Sequence, residues 1–141
     1  MKVFLDSDHH GIKLKEEIYC YLEKKYSVIL MNKIETIDFY PNIAVRMAKT
    51  IQENPYSKGI LICKTGIGMQ IVSNKYKGVY ANNCRDINEC YYFRKCNNGN
   101  LLCLGTDFLT IQEAIDICCM FLKTEFDKKN IPRLELINKL I

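Results

Sequence analysis

The segment Gly59-Ile-Leu-Ile-Cys63-Lys-Thr-Gly-Ile-Gly68 constrains the fold more than any other stretch of this chain. Ile60, Leu61 and Ile62 form an unbroken apolar run, and a strand apolar at consecutive positions must be covered on both faces. A parallel sheet flanked by helices meets that condition. Cys63 falls at the carboxyl end of the strand, where open α/β sheets hold their ligands. The turn Thr65-Gly-Ile-Gly68 can aim backbone N–H groups inward and start a helix, an arrangement suited to an anionic oxygen. A thiol beside such a turn suits proton or acyl chemistry. A buried cysteine is also an ordinary small hydrophobe, and glycine turns are common punctuation, so the rest of the chain has to decide.

Similar runs recur at Val3–Leu5, Val28–Met31, Gly78–Ala81 and Leu101–Leu104. Between them lie helical patterns: Ile12–Lys25 with Leu14, Ile18 and Leu22 on one face; Asn42–Glu53 after Pro41; a helix from Gly68 to about Lys75; and residues 87–96. Thr110-Ile-Gln-Glu113 reads as a capping box opening a helix to Leu122. Leu134–Ile141 reads as a terminal helix whose stripe of Leu136, Ile137 and Leu140 docks on another subunit or packs on its own domain. Strands alternating with helices at this spacing predict βαβ units and a doubly wound parallel sheet. The 141 residues fit one domain, 1–141, with a packed core.

Composition excludes several functions. The net charge of +4 comes from interspersed signs, and the pairs Lys24-Lys25 and Lys128-Lys129 are too short for a nucleic-acid stripe. No apolar run reaches membrane-spanning length, and the N-terminus opens on a strand pattern where a signal peptide would show an apolar core. The eight cysteines show no C-x-x-C pair, so free thiols in a reducing cytoplasm are expected. The only histidines, His9 and His10, are adjacent, and no metal site is expected.

A parallel sheet would gather Asp8-His9-His10-Gly11, Cys63–Gly68, Asn82–Asp86 and the approach to Cys96-Asn97-Asn98 on its carboxyl rim, predicting a small-molecule pocket. Asp8 alone could merely cap a helix, and Asn97-Asn98-Gly99 could merely turn.

Together, Ser7-Asp8-His9-x-Gly11, Asp38-x-Tyr40-Pro41, Gly59-Ile-Leu-Ile-Cys63-x-Thr65-Gly-Ile-Gly-Met69, Asn74-Lys75-x-Lys-Gly78 and Asn97-x-x-Asn100-x-Leu-Cys-Leu-Gly105 resemble the ribose-5-phosphate isomerase B family. The related galactose-6-phosphate isomerase subunits share the group. The resemblance runs in register to about Phe126. It implies a Rossmann-like three-layer α/β/α sandwich with a five-stranded parallel sheet. The implied assembly is a homodimer or homotetramer, or a hetero-oligomer with a related subunit, with each site at a subunit interface. The segment from about 128 to 141 would then pack on a partner. The implied activity is aldose–ketose isomerisation of a sugar phosphate, ribose 5-phosphate to ribulose 5-phosphate, in the cytoplasm and with no cofactor. A six-carbon substrate, a subunit role, or a non-catalytic metabolite- or protein-binding member are the alternatives.

On this resemblance Cys63 is the base that takes the C2 proton, Thr65, Gly66, Ile67 and Gly68 hold the enediolate oxygens, and Asp8 binds hydroxyls or assists proton transfer. His9 faces the phosphate, and Tyr40 and Asn97 line the pocket. The setting of Cys63 must favour the thiolate. The chain also departs from the pattern. Cys96 stands where a ring-opening histidine is usual, which leaves that step to His10 or to spontaneous opening. Asp107, Asn130 and Leu134 stand where arginines are usual, with Arg133 one residue out of register. Lys64 replaces a glycine and either meets the phosphate, acidifies Cys63 or points to solvent.

Overall fold

The computed structural model describes residues 1–32 and 38–140. Five strands, β1 (Lys2–Ser7), β2 (Ser27–Leu30), β3 (Lys58–Cys63), β4 (Ala81–Asn83) and β5 (Leu101–Gly105), form one sheet in the order β2-β1-β3-β5-β4. Every pairing is parallel. Among the described residues four helices join them, α1 (Ile12–Leu22), α2 (Tyr40–Glu53), α3 (Ile67–Ser73) and α4 (Ile87–Asn97), and two more, α5 (Ile111–Lys123) and α6 (Ile131–Asn138), follow β5. Two 3₁₀ turns cover His9–Gly11 and Lys128–Asn130.

The apolar strands dictate the layers. Successive side chains of a strand point to opposite faces. Val3, Leu5, Ile60, Ile62, Leu102 and Leu104 therefore meet α1, α4 and α5 on one face. Phe4, Leu61, Cys63, Leu101 and Cys103 meet α2 and α3 on the other. The chain leaves β1 to one side and returns from β2 to place β3 on the other. The crevice between the carboxyl ends of β1 and β3 is thus the switch point of the sheet.

Local signals account for most boundaries. Pro41 in the first turn lets α2 start at Tyr40, two residues before the expected start. The capping box of α5 forms in both directions: Glu113 N–H donates to Thr110 Oγ1 at 3.1 Å, and Thr110 N–H donates to Glu113 Oε1 at 2.9 Å. α1 ends at Leu22, short of Lys25, as the chain turns through Tyr26.

The expected strand Gly78–Ala81 is displaced to Ala81–Asn83. Asparagine side chains occupy the backbone groups that a strand there would have used. Asn100 Oδ1 accepts from Tyr80 N–H at 2.8 Å, and its Nδ2 donates to the Gly78 carbonyl at 2.9 Å. Asn74 clamps both backbone groups of Ala81. The terminal helix begins at Ile131, three residues ahead of the expected start, with Pro132 in its first turn, and Ile141 lies outside the described residues.

Candidate active site

Two chain turns meet at the switch-point crevice. β1 delivers Asp8, whose N–H donates to the Ile62 carbonyl at 3.1 Å, so the acid sits against the end of β3. Its Oδ1 accepts the His10 N–H at 2.9 Å and caps the turn that carries both histidines. Asp8 is buried; His9 and His10 are exposed with ring centroids 4.0 Å apart. His10 Nδ1 stands 3.4 Å from Asp8 Oδ2. The side chains of Asp8, His9 and His10 bring ligand atoms within 4.8 Å of one another, a grouping able to hold a metal ion that adjacency in the sequence had argued against.

β3 delivers Cys63, buried at 5% exposure. The turn after it folds back so that Gly66 N–H donates to Cys63 Sγ at 3.0 Å. Gly66 takes φ +77°, a left-handed conformation that suits glycine, and an added Cβ there would fall 2.9 Å from the Asn83 side chain. Asn83 Nδ2 donates to the Thr65 carbonyl at 2.8 Å, while Gln70 Oε1 accepts from Asn83 N–H at 2.7 Å. These braces span 13 and 18 residues. They went unpredicted because no local pattern marks such a pairing. The ring of Tyr40 lies against Gly68, where a Cβ would meet it at 2.4 Å. Thr65 Oγ1 accepts from Ile67 N–H at 3.3 Å, and the side chain of Lys64 is exposed.

The thiol is less acidic than the sequence suggested. Burial pushes Cys63 up from its ordinary value, and the Asp8 carboxylate adds to the rise; the N–H groups of Gly66, Thr65 and Met69 pull it down without cancelling it. The amides expected to hold an oxyanion are also partly engaged, Gly66 with the sulfur and Ile67 with the neighbouring hydroxyl. A second carboxyl lies outside the residues expected to form the site. Asp6 is fully buried at the end of β1, with Oδ1 accepting from Ser7 N–H at 2.8 Å and Oδ2 without a partner. Burial raises it above the usual carboxylate range.

Asn97 and Arg133 do not join this cluster, which corrects the expectation of one convergent rim. A helix that leaves the carboxyl edge returns the chain to the amino edge. α4 starts after the end of β4 and finishes at Asn97, four residues before β5 begins. The Asn100 carbonyl accepts from Gly59 N–H at 2.9 Å, at the start of β3. Cys96 shares this end of α4. Arg133 follows α5 to the same edge and donates to Asn130 Oδ1 at 2.7 Å. Asn97 lines an open groove of about 530 Å³ with Tyr80, Asn82, Glu89, Tyr92 and Ile137.

Within one chain, the carboxyl rim therefore joins Asp8, His9, His10, Tyr40, Cys63, Lys64, Thr65, Gly66, Ile67 and Gly68, and excludes Asn97 and Arg133. No described helix is long and apolar enough to cross a membrane.

This fold is shared with solved isomerases. The crystal structure of ribose-5-phosphate isomerase B from Mycoplasma genitalium with bound ribulose-5-phosphate superposes with a TM-score of 0.91 at 33% identity, covering 98% of this chain and 94% of that one. Among curated proteins, a probable ribose-5-phosphate isomerase B of Mycoplasma pneumoniae is 37% identical over 89% of this chain and 84% of its own length. The D-erythrulose-4-phosphate isomerase of Pectobacterium atrosepticum is 31% identical over 97% of this chain and 93% of its own. Fold and relatives together define an isomerase of sugar phosphates. More particularly, the chain belongs to the Ribose/Galactose Isomerase family, whose pattern matches residues 3–137.

Proposed function

We propose that this protein interconverts ribose 5-phosphate and ribulose 5-phosphate through a cis-enediolate, with Cys63 as the base. The observation that carries the reading is the Cys63 sulfur at the carboxyl end of β3, held at 3.0 Å by the Gly66 N–H beside the buried Asp8. The Cys63 thiolate removes the proton from C2 of the open-chain aldose. The C–H electrons form the C1–C2 double bond, and the aldehyde oxygen becomes the enediolate oxygen. Return of the proton to C1, with loss of the O2 hydroxyl proton, gives the ketose. The proton moves between neighbouring carbons, so the step itself calls for neither metal nor nucleotide. The turn Thr65–Gly68 holds the enediolate oxygens, where a well-placed donor contributes about 3 kcal/mol to the transition state. Asp8 binds the sugar hydroxyls and carries the proton between O1 and O2. His9 and Lys64 meet the phosphate, Tyr40 walls the pocket, and His10 assists ring opening.

Asn97 and Arg133 belong to the same site through a second copy of the chain, since topology puts them on the far edge of their own. The α6 helix supports that assembly. It has no buried residue; its Leu136 and Ile137, with Leu140 just beyond its end, are 63%, 42% and 80% exposed, a stripe that a partner subunit would cover. Eight free cysteines suit a cytoplasmic setting. A second reading, with another sugar phosphate as substrate, is favoured by the likeness to an isomerase of D-erythrulose 4-phosphate.

Incubation with ribose 5-phosphate in D₂O, followed by proton NMR, tests the proposal. Ketose carrying deuterium, lost in Cys63→Ala, is the expected result. Full turnover by Cys63→Ala would reject the base, and turnover of erythrulose 4-phosphate alone would select the second reading.

A further inference from the structure

The histidine turn at the end of β1 has a geometry that isomerisation does not require. His10 Nδ1 and Asp8 Oδ2 are 3.4 Å apart. That is within reach of a hydrogen bond or ion pair, though longer than the charge-assisted distance of about 2.7–2.9 Å. It is the spacing of two ligands on one tetrahedral ion: bonds of about 2.0–2.1 Å to zinc at a tetrahedral angle place neighbouring ligand atoms about 3.3–3.4 Å apart. His9 completes the set, its ring centroid 4.0 Å from that of His10 and its ligand atom within 4.8 Å of the other two.

We propose that Asp8, His9 and His10 form a three-ligand site for a divalent transition metal of the zinc class. Adjacent histidines in a helix or strand diverge, but in the 3₁₀ turn His9–Gly11 their ring centroids are 4.0 Å apart. The His10 N–H holds Asp8 Oδ1 at 2.9 Å, which leaves Oδ2 directed to the ring nitrogen. A ligand fixed in this way is oriented before the ion arrives. Two imidazoles and one carboxylate suit zinc, cobalt or nickel and disfavour magnesium, which takes oxygen ligands. Both histidines are exposed, so the ion has access. Three protein ligands leave a fourth position for water or a sugar hydroxyl.

One consequence rests on the isomerase reading. An ion on Asp8 and His9 withdraws both from the sugar phosphate, so the metal is a reversible inhibitor that competes with substrate and is removed by a chelator.

Equilibrium dialysis and cobalt(II) absorption on the whole protein test the site. The expected result is one cobalt per chain, displaced by zinc and unaffected by excess magnesium, with visible d–d bands and no thiolate charge-transfer band. His10→Ala should weaken binding at least tenfold, about the smallest loss seen even when an outer partner of a metal ligand is removed. His10→Gln, which keeps a polar side chain of similar reach, provides the same comparison should His10→Ala fail to fold. Undiminished binding in both variants, a thiolate band, or no binding by the wild-type protein would overturn the proposal. Binding without any isomerase activity to inhibit would uphold the site and remove only the inhibition.

Discussion

Replacing Lys58 with methionine should stabilise the protein, by an amount that shrinks as the pH rises. Lys58 opens β3 at 9% exposure, far from the reactive turn. Its Nζ donates to the Phe121 and Leu122 carbonyls at 3.3 and 3.5 Å, and stands 5.6 Å from the centre of the Phe121 ring. The carbonyls at the end of α5 supply partial negative charge, but no carboxylate is paired with it among the described residues. Burial, with the nearby Arg94 guanidinium adding to it, pushes the Lys58 ammonium down from 10.5 to about 8. Between those two values the unfolded chain holds the proton that the folded chain has released, so stability rises with pH across that window.

Lys58 therefore costs the folded state about 3 kcal/mol when charged at neutral pH, of which about 2.5 kcal/mol is relieved between pH 7 and pH 10. Methionine keeps the length and removes the charge. Urea unfolding of both proteins at pH 7, 8, 9 and 10 gives the difference directly, because titration of the thiols and tyrosines is common to the two and cancels. The variant's advantage should be largest at pH 7 and fall by about 2.5 kcal/mol by pH 10. A difference constant with pH, or a variant less stable than wild type at pH 7, would refute the account of Lys58 as a strained buried cation.

Burial holds the Cys63 thiol above its ordinary 9.0, so kcat/KM for ribose 5-phosphate should still be climbing at that pH; a plateau reached near neutrality would place the base elsewhere. Gly68→Ala sets a Cβ 2.4 Å from the Tyr40 ring and should lower kcat/KM at least about tenfold with unchanged circular dichroism, so a fully active variant would remove Tyr40 from the pocket wall. Thr110→Ala removes the cap of α5 and should cost about 1 kcal/mol in urea unfolding without altering activity. Leu136→Asp with Leu140→Asp should dissociate the assembly in sedimentation and abolish turnover, whereas a monomeric wild-type chain would end the shared-site proposal.

The sheet was legible because its central strands are apolar on consecutive residues, and only a doubly covered parallel sheet accommodates that. β4 was misplaced because its signal depended on Val79 and Tyr80, while the decisive contacts come from Asn74 and Asn100, whose side chains complete the backbone before pairing begins. The place of Cys63 at the carboxyl end of β3 was legible from the apolar run before it. Its acidity was not, since that depends on how far burial outweighs three amide donors. The parallel-sheet pattern brings Asn97 toward the rim and the resemblance brings Arg133 to the phosphate; following α4 and α5 back across the sheet shows both on the opposite edge. Adjacency argues against a shared ion for two histidines of an extended strand; in the 3₁₀ turn the ligand atoms of the pair and of Asp8 lie within 4.8 Å of one another, a proximity that spacing alone did not show.

The pairing of β3 with β5 does not stop where the strands end. Thr106 N–H donates to the Cys63 carbonyl at 3.0 Å and Asp107 N–H to the Lys64 carbonyl at 2.9 Å, while Gly105 lies so close to Thr65 that a Cβ would meet its carbonyl oxygen at 2.4 Å. The turn after Cys63 is thereby zipped to the end of β5, and opening it means separating two fully buried strands. The Thr106 and Asp107 amides, which donate across this seam, should resist hydrogen exchange nearly as long as those of Ile60–Ile62, far longer than amides of a surface turn would. The turn proposed to hold the sugar is then among the last parts of the molecule to melt, and a destabilising change elsewhere in the core disturbs it chiefly by unfolding the sheet around it.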